Sequence, residues 1–324
     1  MYTLQEIDSV IRKSVFAIDF KKEPSSLYEP LEYMLAIGGK RLRPRLCLTT
    51  FTLFKDNIDN NIILPALALE LFHSFTLMHD DIMDNADIRR GVPTVRSKWD
   101  DNCAILSGDA MFVQAYQFLQ GYKGPEFQKI VELFTDTAVK VMEGQQYDMN
   151  FEGMQVIVME DYLKMIGLKT AALIACSAKL GAVIAGAPDQ MCDALYEFGW
   201  NLGMAYQITD DYLDTFGDPA IFGKKIGGDI ENNKKTWLLV KCQKLATGED
   251  RPYLEGLLAQ EEDLPAKVAA MQALYKKLKV DSQALDAIGQ YHEKALAILQ
   301  DIDLDRDQRA CLIEFARGMV YRRF

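Results

Sequence analysis

The sequence predicts an all-α fold. Three observations carry that expectation: long apolar segments recur with a helical period, alternating β-branched runs are nearly absent, and the Gly/Pro-rich breaks stand between long periodic segments. With 324 residues the chain can bury a large core. No low-complexity linker divides it and no internal repeat shows, so a single domain over 1–324 is expected.

The elements follow in order. The opening MYTLQEIDSVIRKSVF is amphipathic with early acids, unlike a secretory signal. GGKRLRP (38–44) is the first break. ILPALALELFHSFTLMHDDIMD (63–84) is apolar all round and is expected to be a helix buried on most faces. After RRGVPT (89–94) come AMFVQAYQFLQ (110–120), FQKIVELFTDTAVKVMEGQQYDM (127–149) and TAALIACSAKLGAVI (170–184). AGAP (185–188) precedes QMCDALYEFGWNLGMAYQITDDYLDTF (190–216), which ends at FGDP. PAKVAAMQALYKKLK (265–279) and SQALDAIGQYHEKALAILQDI (282–302) complete the helical set. The most apolar run, AALIACSAKLGAVIAGA, is interrupted by Lys179 and falls short of the roughly 20 apolar residues of a membrane span.

Charge and cysteine usage narrow the function. The net charge is −11 and the basic cluster YRRF is confined to the C-terminus, which argues against a nucleic-acid surface. Six scattered cysteines with no CxxC pair, and only three histidines, argue against zinc and for buried thiols in a reducing compartment. A cytoplasmic, soluble protein with no membrane span is the expectation.

Two acidic clusters demand an explanation. HDDIMD and TDDYLD both read DDxxD, with Asp80 and Asp210 lying 130 positions apart. On a helix, positions i and i+4 are about 40° apart, so Asp80 and Asp84 share a face while Asp81 sits about 100° round. Asp210, Asp211 and Asp214 repeat the arrangement. Gathered carboxylates repel unless a positive charge lies between them. Hard oxygen ligands suit Mg²⁺, which is commonly shared between carboxylates and phosphate. A solvated helix-end acid patch is the plainer reading of one such cluster. Two of them ending two apolar helices favour a Mg²⁺–diphosphate gripped from both sides.

A diphosphate also needs fixed cations. GGKRLRPR carries Lys40, Arg41, Arg43 and Arg45 after two glycines, and DIRRG adds Arg89 and Arg90. GLKTAA gives Lys169 and Thr170, and FGKKIGGDIENNKKT gives Lys224, Lys225, Lys234 and Lys235. Any one group alone reads as surface cations. His73 lies about 20° off the face of Asp80, two turns earlier, and a satisfied core histidine is an equal reading there.

Taken together, GGKRLRP, HDDIMDNADIRRG, GD, EGQQYD, KTA, YQITDDYLD and FGKKIGGDIENNKKT stand in the order and spacing of trans-polyprenyl diphosphate synthases, and the chain resembles that family from about residue 35 to 240. The resemblance implies an orthogonal helical bundle of the isoprenoid synthase type around a central cavity. It also implies a homodimer using Mg²⁺, three ions per site, to condense isopentenyl diphosphate with an allylic diphosphate. Asp80, Asp84 and Asp210 would ligate Mg²⁺, with Asp81, Asp211 and Asp214 completing the acidic shells and Asp214 counted among the metal residues. Arg89, Lys169, Lys224 and Lys234 would hold the allylic diphosphate. Lys40, Arg43, His73 and Arg90 would hold isopentenyl diphosphate, and Thr170 and Gln207 would lie beside the reacting carbons. The tail YRRF resembles basic tails that close over the isopentenyl site. Two positions depart from the family: Asn233 stands where Gly is frequent, and Arg96 where His is common.

HSFTLMHDDIMD is similar to short-chain archaeal-type geranylgeranyl diphosphate synthases, which implies a C20 product, with C15 or longer chains as alternatives. Phe75 and Phe72, with Thr76, would form the floor that stops the growing tail. An ideal helix points Phe75 about 140° from Asp80, so plain core packing is an equal reading for both rings. A class I terpene cyclase or a silent regulatory subunit are the readings from other classes. The second DDxxD and the GGKRLRP group disfavour the cyclase, and the completeness of both aspartate clusters disfavours the silent subunit.

Overall fold

The computed structural model describes residues 2–218 and 226–320. Lys224, Lys225 and the YRRF tail lie outside the described residues. The chain is helical almost throughout, with one two-residue hairpin among the described residues. Neighbour relations divide it into two compact units.

The first unit comprises Met1–Thr135, Cys176–Tyr196 and Leu304–Phe315. Helix α1 (Leu4–Phe16) starts with a capping box, in which Thr3 and Glu6 satisfy each other's backbone N–H. Helices α2 (Ser25–Ala36) and α3 (Leu42–Thr52) flank the GGKR turn, so the predicted break is a loop only as far as Arg41. Arg43 already belongs to the first turn of α3. The long helix α4 (Asn60–Met83) begins at Asp59, whose side chain accepts the Asn61 N–H. It lies along α6 (Asp101–Leu119) and α3, and Ile62, Leu69, Phe72, Met111, Ala115 and Leu119 are fully or almost fully buried. Between them, β1 (Ile88–Arg89) pairs antiparallel with β2 (Val92–Pro93), and the short α5 (Val95–Lys98) is capped by Thr94.

The second unit comprises Asp136–Ala175, Glu197–Asp303 and Ala316–Phe324. It holds most of α7 (Phe127–Glu152), α8 (Met159–Ile166), the start of α9 (Ala172–Ile184) and the later part of α10 (Asp189–Phe216). A single π-helical turn, Gly167–Ala171, joins α8 to α9. Such turns interrupt the regular ladder and recur at functional sites. Further helices are Gly228–Glu231, Trp237–Leu245, Asp250–Leu258, Leu264–Lys277 and Val280–Asp301. Close approach is built from small residues: a Cβ on Gly199 would meet Ala175 backbone, and one on Gly203 would meet Ala171.

Two helices, Asn60–Met83 and Met159–Ile184, are long and apolar enough to cross a membrane by composition, the second because the π-turn continues the apolar run. Their most apolar windows are 67% and 83% buried inside the protein, as in core helices. Five of the six cysteines are buried and Cys103 is half-buried.

Candidate active site

The first acidic motif closes α4. Asp84 is its C-cap and its N–H donates to Asp80 O, the i, i+4 relation expected from the sequence. A helix C-terminus is the negative end of the peptide dipoles and favours cations, so acids placed there are costly unless positive charge is supplied. Part of that charge comes from the hairpin. Arg89 Nε donates to both oxygens of Asp81 at 3.0 and 2.9 Å, and Nη2 adds a bond of 2.7 Å. Asp81 is 2% exposed. Burial raises its pKa above the usual carboxylate value, and Arg89 works against that rise. Asp81 is thus fastened inward to Arg89, whereas Asp84 is exposed and Asp80 partly so.

The hairpin brings its second arginine back onto the GGKR turn. Arg90 Nη1 donates to Gly38 O, and a Cβ on Gly39 would run into the Arg90 guanidinium. Gly39 also has φ +141, so the second glycine serves both backbone and approach. Arg41 adopts a left-handed φ of 47 and sends its guanidinium to buried Glu70 on α4 and to Leu35 O. It is a strut that fixes the turn bearing Lys40 and the start of α3, which bears Arg43. No side chain caps the first turn of α3, and an uncapped N-terminus attracts anions.

His73 shows where these cations meet. It is partly buried on α4, and burial together with the charges of Arg43, Arg90, Arg89 and Arg41 pushes its pKa well below the ordinary value. Four guanidinium groups act on a neutral imidazole; Asp81 meets Arg89 and Glu70 meets Arg41, and so dense a set of N–H donors suits an anion. Of the sequence candidates, Arg43, His73, Arg89 and Arg90 come together here.

Phe72 and Phe75 lie in a ring cluster. Phe72 contacts Phe75, Phe112 and Phe134 at 5.4–5.9 Å between ring centres, and Phe75 contacts Phe112 at 5.0 Å and His79 at 4.8 Å. Thr76 Oγ1 donates to His73 O. Both rings therefore serve the α4–α6 core, whatever else they do.

In the second unit, the motif EGQQYD acquires a physical sense. Gly144 lets α7 touch the π-turn, because a Cβ there would meet the Lys169 backbone. One turn on, Asp148 accepts Lys169 Nζ at 2.6 Å. Thr170 Oγ1 donates to Gln207 Oε1 at 2.8 Å, and Gln207 Nε2 donates to Asp211 Oδ1 at 3.0 Å. Asp211 Oδ2 accepts from Tyr162 Oη at 2.5 Å and from Trp237 N at 2.8 Å. Burial, with the charge of Asp229, raises Asp211 to about 7 against the pull of those three hydrogen bonds. Tyr162, buried beside that carboxylate, is pushed well above its ordinary pKa and keeps its proton.

The third acid of this motif has a structural task. Asp214 Oδ1 accepts the Asp229 N–H at 2.9 Å and so caps the short helix Gly228–Glu231. Lys234 is exposed, 4.0 Å from Asp229, and Asp210 is partly buried. Asn233 has φ 52, a conformation open to Gly and tolerated by Asn, and its Nδ2 donates to Leu258 O at 2.9 Å. Arg96, the other departure, donates to Asp101 at 2.9 Å and to Asp87 and Asn85 at 3.4 Å, stapling the chain after the first motif. Sequence reasoning missed Tyr162, Glu70 and the strut role of Arg41.

Among the described residues, no three His, Cys, Asp or Glu side chains converge on one metal. The exposed Asp84 and partly exposed Asp80 of the first unit, and the partly exposed Asp210 of the second, are hard oxygen donors in incomplete sets, and either set fits a cation that takes its remaining ligands from water and phosphate. The family model for polyprenyl synthetase matches residues 24–278. The chain belongs to the polyprenyl synthetase family. It is a trans-prenyltransferase acting on isoprenoid diphosphates.

The geranylgeranyl diphosphate synthase of Saccharolobus solfataricus is 36% identical, covering 94% of this chain and 92% of the relative. The geranylfarnesyl diphosphate synthase of Aeropyrum pernix is 35% identical over 84% and 85%. A crystal structure of a geranylgeranyl pyrophosphate synthase superposes with a TM-score of 0.94 at 37% identity, covering all of both chains. The polyprenyl synthase of Caulobacter crescentus, solved with calcium and isoprenyl diphosphate, gives a TM-score of 0.88 at 27% identity over 99% and 96%. These likenesses favour a synthase over the cyclase and silent-subunit readings, and a divalent metal as cofactor.

Proposed function

We propose that the protein condenses isopentenyl diphosphate head-to-tail with allylic diphosphates to an all-trans C20 diphosphate, using Mg²⁺. The observation that carries the reading is the set of four arginines whose charges act on neutral His73, on the same helix whose last turn offers Asp80 and Asp84. Lys40, Arg43, His73 and Arg90 bind the diphosphate of the isopentenyl substrate. Asp80, Asp84 and Asp210 hold Mg²⁺ for the allylic diphosphate, three ions per site. Asp214, already capping Asp229, steadies the loop that bears Lys234.

Bound Mg²⁺ supplies Lewis-acid neutralisation of the departing diphosphate. Arg89, Lys169, Lys224 and Lys234 take up the charge that gathers on that group as its C–O bond ionises. Thr170 and Gln207 lie beside the allylic carbon, and apolar side chains keep water from the cation. The isopentenyl double bond attacks, and the released diphosphate accepts the proton then lost, so no side-chain base is required.

The chain works as one domain, as a cytoplasmic homodimer. Exposed Ile105, Leu106 and Val113 on α6, and Val139, Met142 and Met149 on α7, supply apolar surface of the kind a partner covers. Purified protein given Mg²⁺, isopentenyl diphosphate and each allylic starter tests the reading. A dominant C20 alcohol after dephosphorylation supports it. C25 or longer products keep the reaction and reject the C20 floor at Phe75. No consumption of isopentenyl diphosphate overturns it.

A further inference from the structure

We propose that Tyr162 is a positioning residue that fixes the Asp211 end of a buried hydrogen-bond chain, so that Thr170 presents oxygen lone pairs, and no proton, to the reacting allylic carbon. The inference rests on the placement of Thr170 beside that carbon and assigns the group that orients it.

The direction of the chain can be read from its fixed ends. Trp237 N–H can only donate, and it shares Asp211 Oδ2 with the Tyr162 hydroxyl. Oδ2 of Asp211, a side chain 5% exposed, thus accepts at one end of the chain. Gln207 meets the other oxygen with its amine, so its carbonyl faces away and receives Thr170 Oγ1–H at 2.8 Å. A hydroxyl has one proton, and that of Thr170 is spent on Gln207. The lone pairs left over are the end of the dipole that favours a developing positive charge, fixed before the reaction begins.

Tyr162 is 1% exposed on α8, and its hydroxyl donates to Asp211. Packing alone would accept Phe at this position. Burying a hydroxyl is favourable only where a partner meets it, so the oxygen is there for the carboxylate. Without it, Trp237 N–H alone holds Oδ2, the carboxylate can turn about its Cβ–Cγ bond, and the Gln207 amine loses a fixed partner on Oδ1. The same Trp237 contact ties the segment after Lys234 to this centre, so Asp211 acts as a junction.

Tyr162→Phe, Thr170→Val and the double variant test the chain through kcat, both KM values and the unfolding midpoint. Tyr162→Phe is expected to lower kcat about tenfold with both KM values within about twofold. In the Thr170→Val background it should cost nothing further, because the group it orients is gone. In the Thr170→Ser background, which restores the hydroxyl, the tenfold loss should return. An unchanged kcat for Tyr162→Phe, or a loss that multiplies with Thr170→Val, overturns the proposal. Wild-type turnover of Thr170→Val overturns the placement of Thr170 itself and marks the failure as that of the site. If Tyr162→Phe does not fold, Gln207→Met breaks the chain one link on and carries the same outcomes.

Discussion

Replacing Arg89 by alanine tests the claim that Asp81 is a structural anion rather than a displayed ligand. The carboxylate is 2% exposed and holds three hydrogen bonds from Arg89. Removing one partner of a buried pair costs about 3–5 kcal/mol. Arg89 keeps 20% of its side-chain surface, so the lower end, about 3 kcal/mol, applies. The loss should depend on pH. Asp81 already has a raised pKa in the folded state, and without Arg89 it rises further. The folded state then binds more protons than the unfolded one above the ordinary carboxylate pKa, so stability falls as pH rises through the raised value. Urea unfolding in EDTA at fixed protein concentration should therefore show Arg89→Ala falling further behind wild type at pH 8 than at pH 5. Adding Asp81→Asn should recover most of the gap at pH 8. A gap that ignores pH, or purely additive losses, would refute the reasoning.

Three further outcomes follow. Asp84→Ala removes an exposed acid from a helix C-terminus, so stability should change by less than about 0.5 kcal/mol while Mg²⁺-dependent turnover falls on the order of 10³-fold; equal losses in both would contradict the assignment. Phe75→Ala empties a site 7% exposed, so about 3–5 kcal/mol should be lost on unfolding, and chromatography should reveal products beyond C20; an unchanged C20 product removes Phe75 from length control. His73, with its depressed pKa, contributes stability that is present above pH ~6.5 and lost as pH falls toward its folded value. His73→Gln should flatten that acid limb, as unfolding midpoints between pH 7 and 4 would show.

The helices were legible because apolar residues recur at the helical period over segments longer than a strand, and the Gly/Pro breaks coincide with real ends at Gly186 and Phe216. The shared face of Asp80 and Asp84 was legible for the same reason. Other features were not. Asp81 and Asp214 read alike in the linear motifs as members of the acidic shells; one is held by Arg89 and the other accepts the Asp229 N–H, and both partners are set by turns the motif does not encode. The π-turn at Gly167–Ala171 leaves no periodic trace. Tyr162 reads as ordinary core within an amphipathic helix. Glu70 did carry a signal, since a charge inside an apolar run needs a counter-ion, and Arg41 in the GGKR turn supplies it. Its neighbours Lys40 and Arg43 are then separated from it by role, though their residue types are alike.

The most direct test of the account is calorimetry of two ligands with two variants. Isopentenyl diphosphate should bind without Mg²⁺ and lose that binding in Arg43→Ala. A non-ionising allylic thiolodiphosphate should require Mg²⁺ and lose its binding in Asp84→Ala. Each variant should keep the other ligand. If both variants lost both ligands, or if isopentenyl diphosphate bound only through Mg²⁺, the division of the site into a cationic pocket around His73 and an acidic metal face on α4 would be wrong.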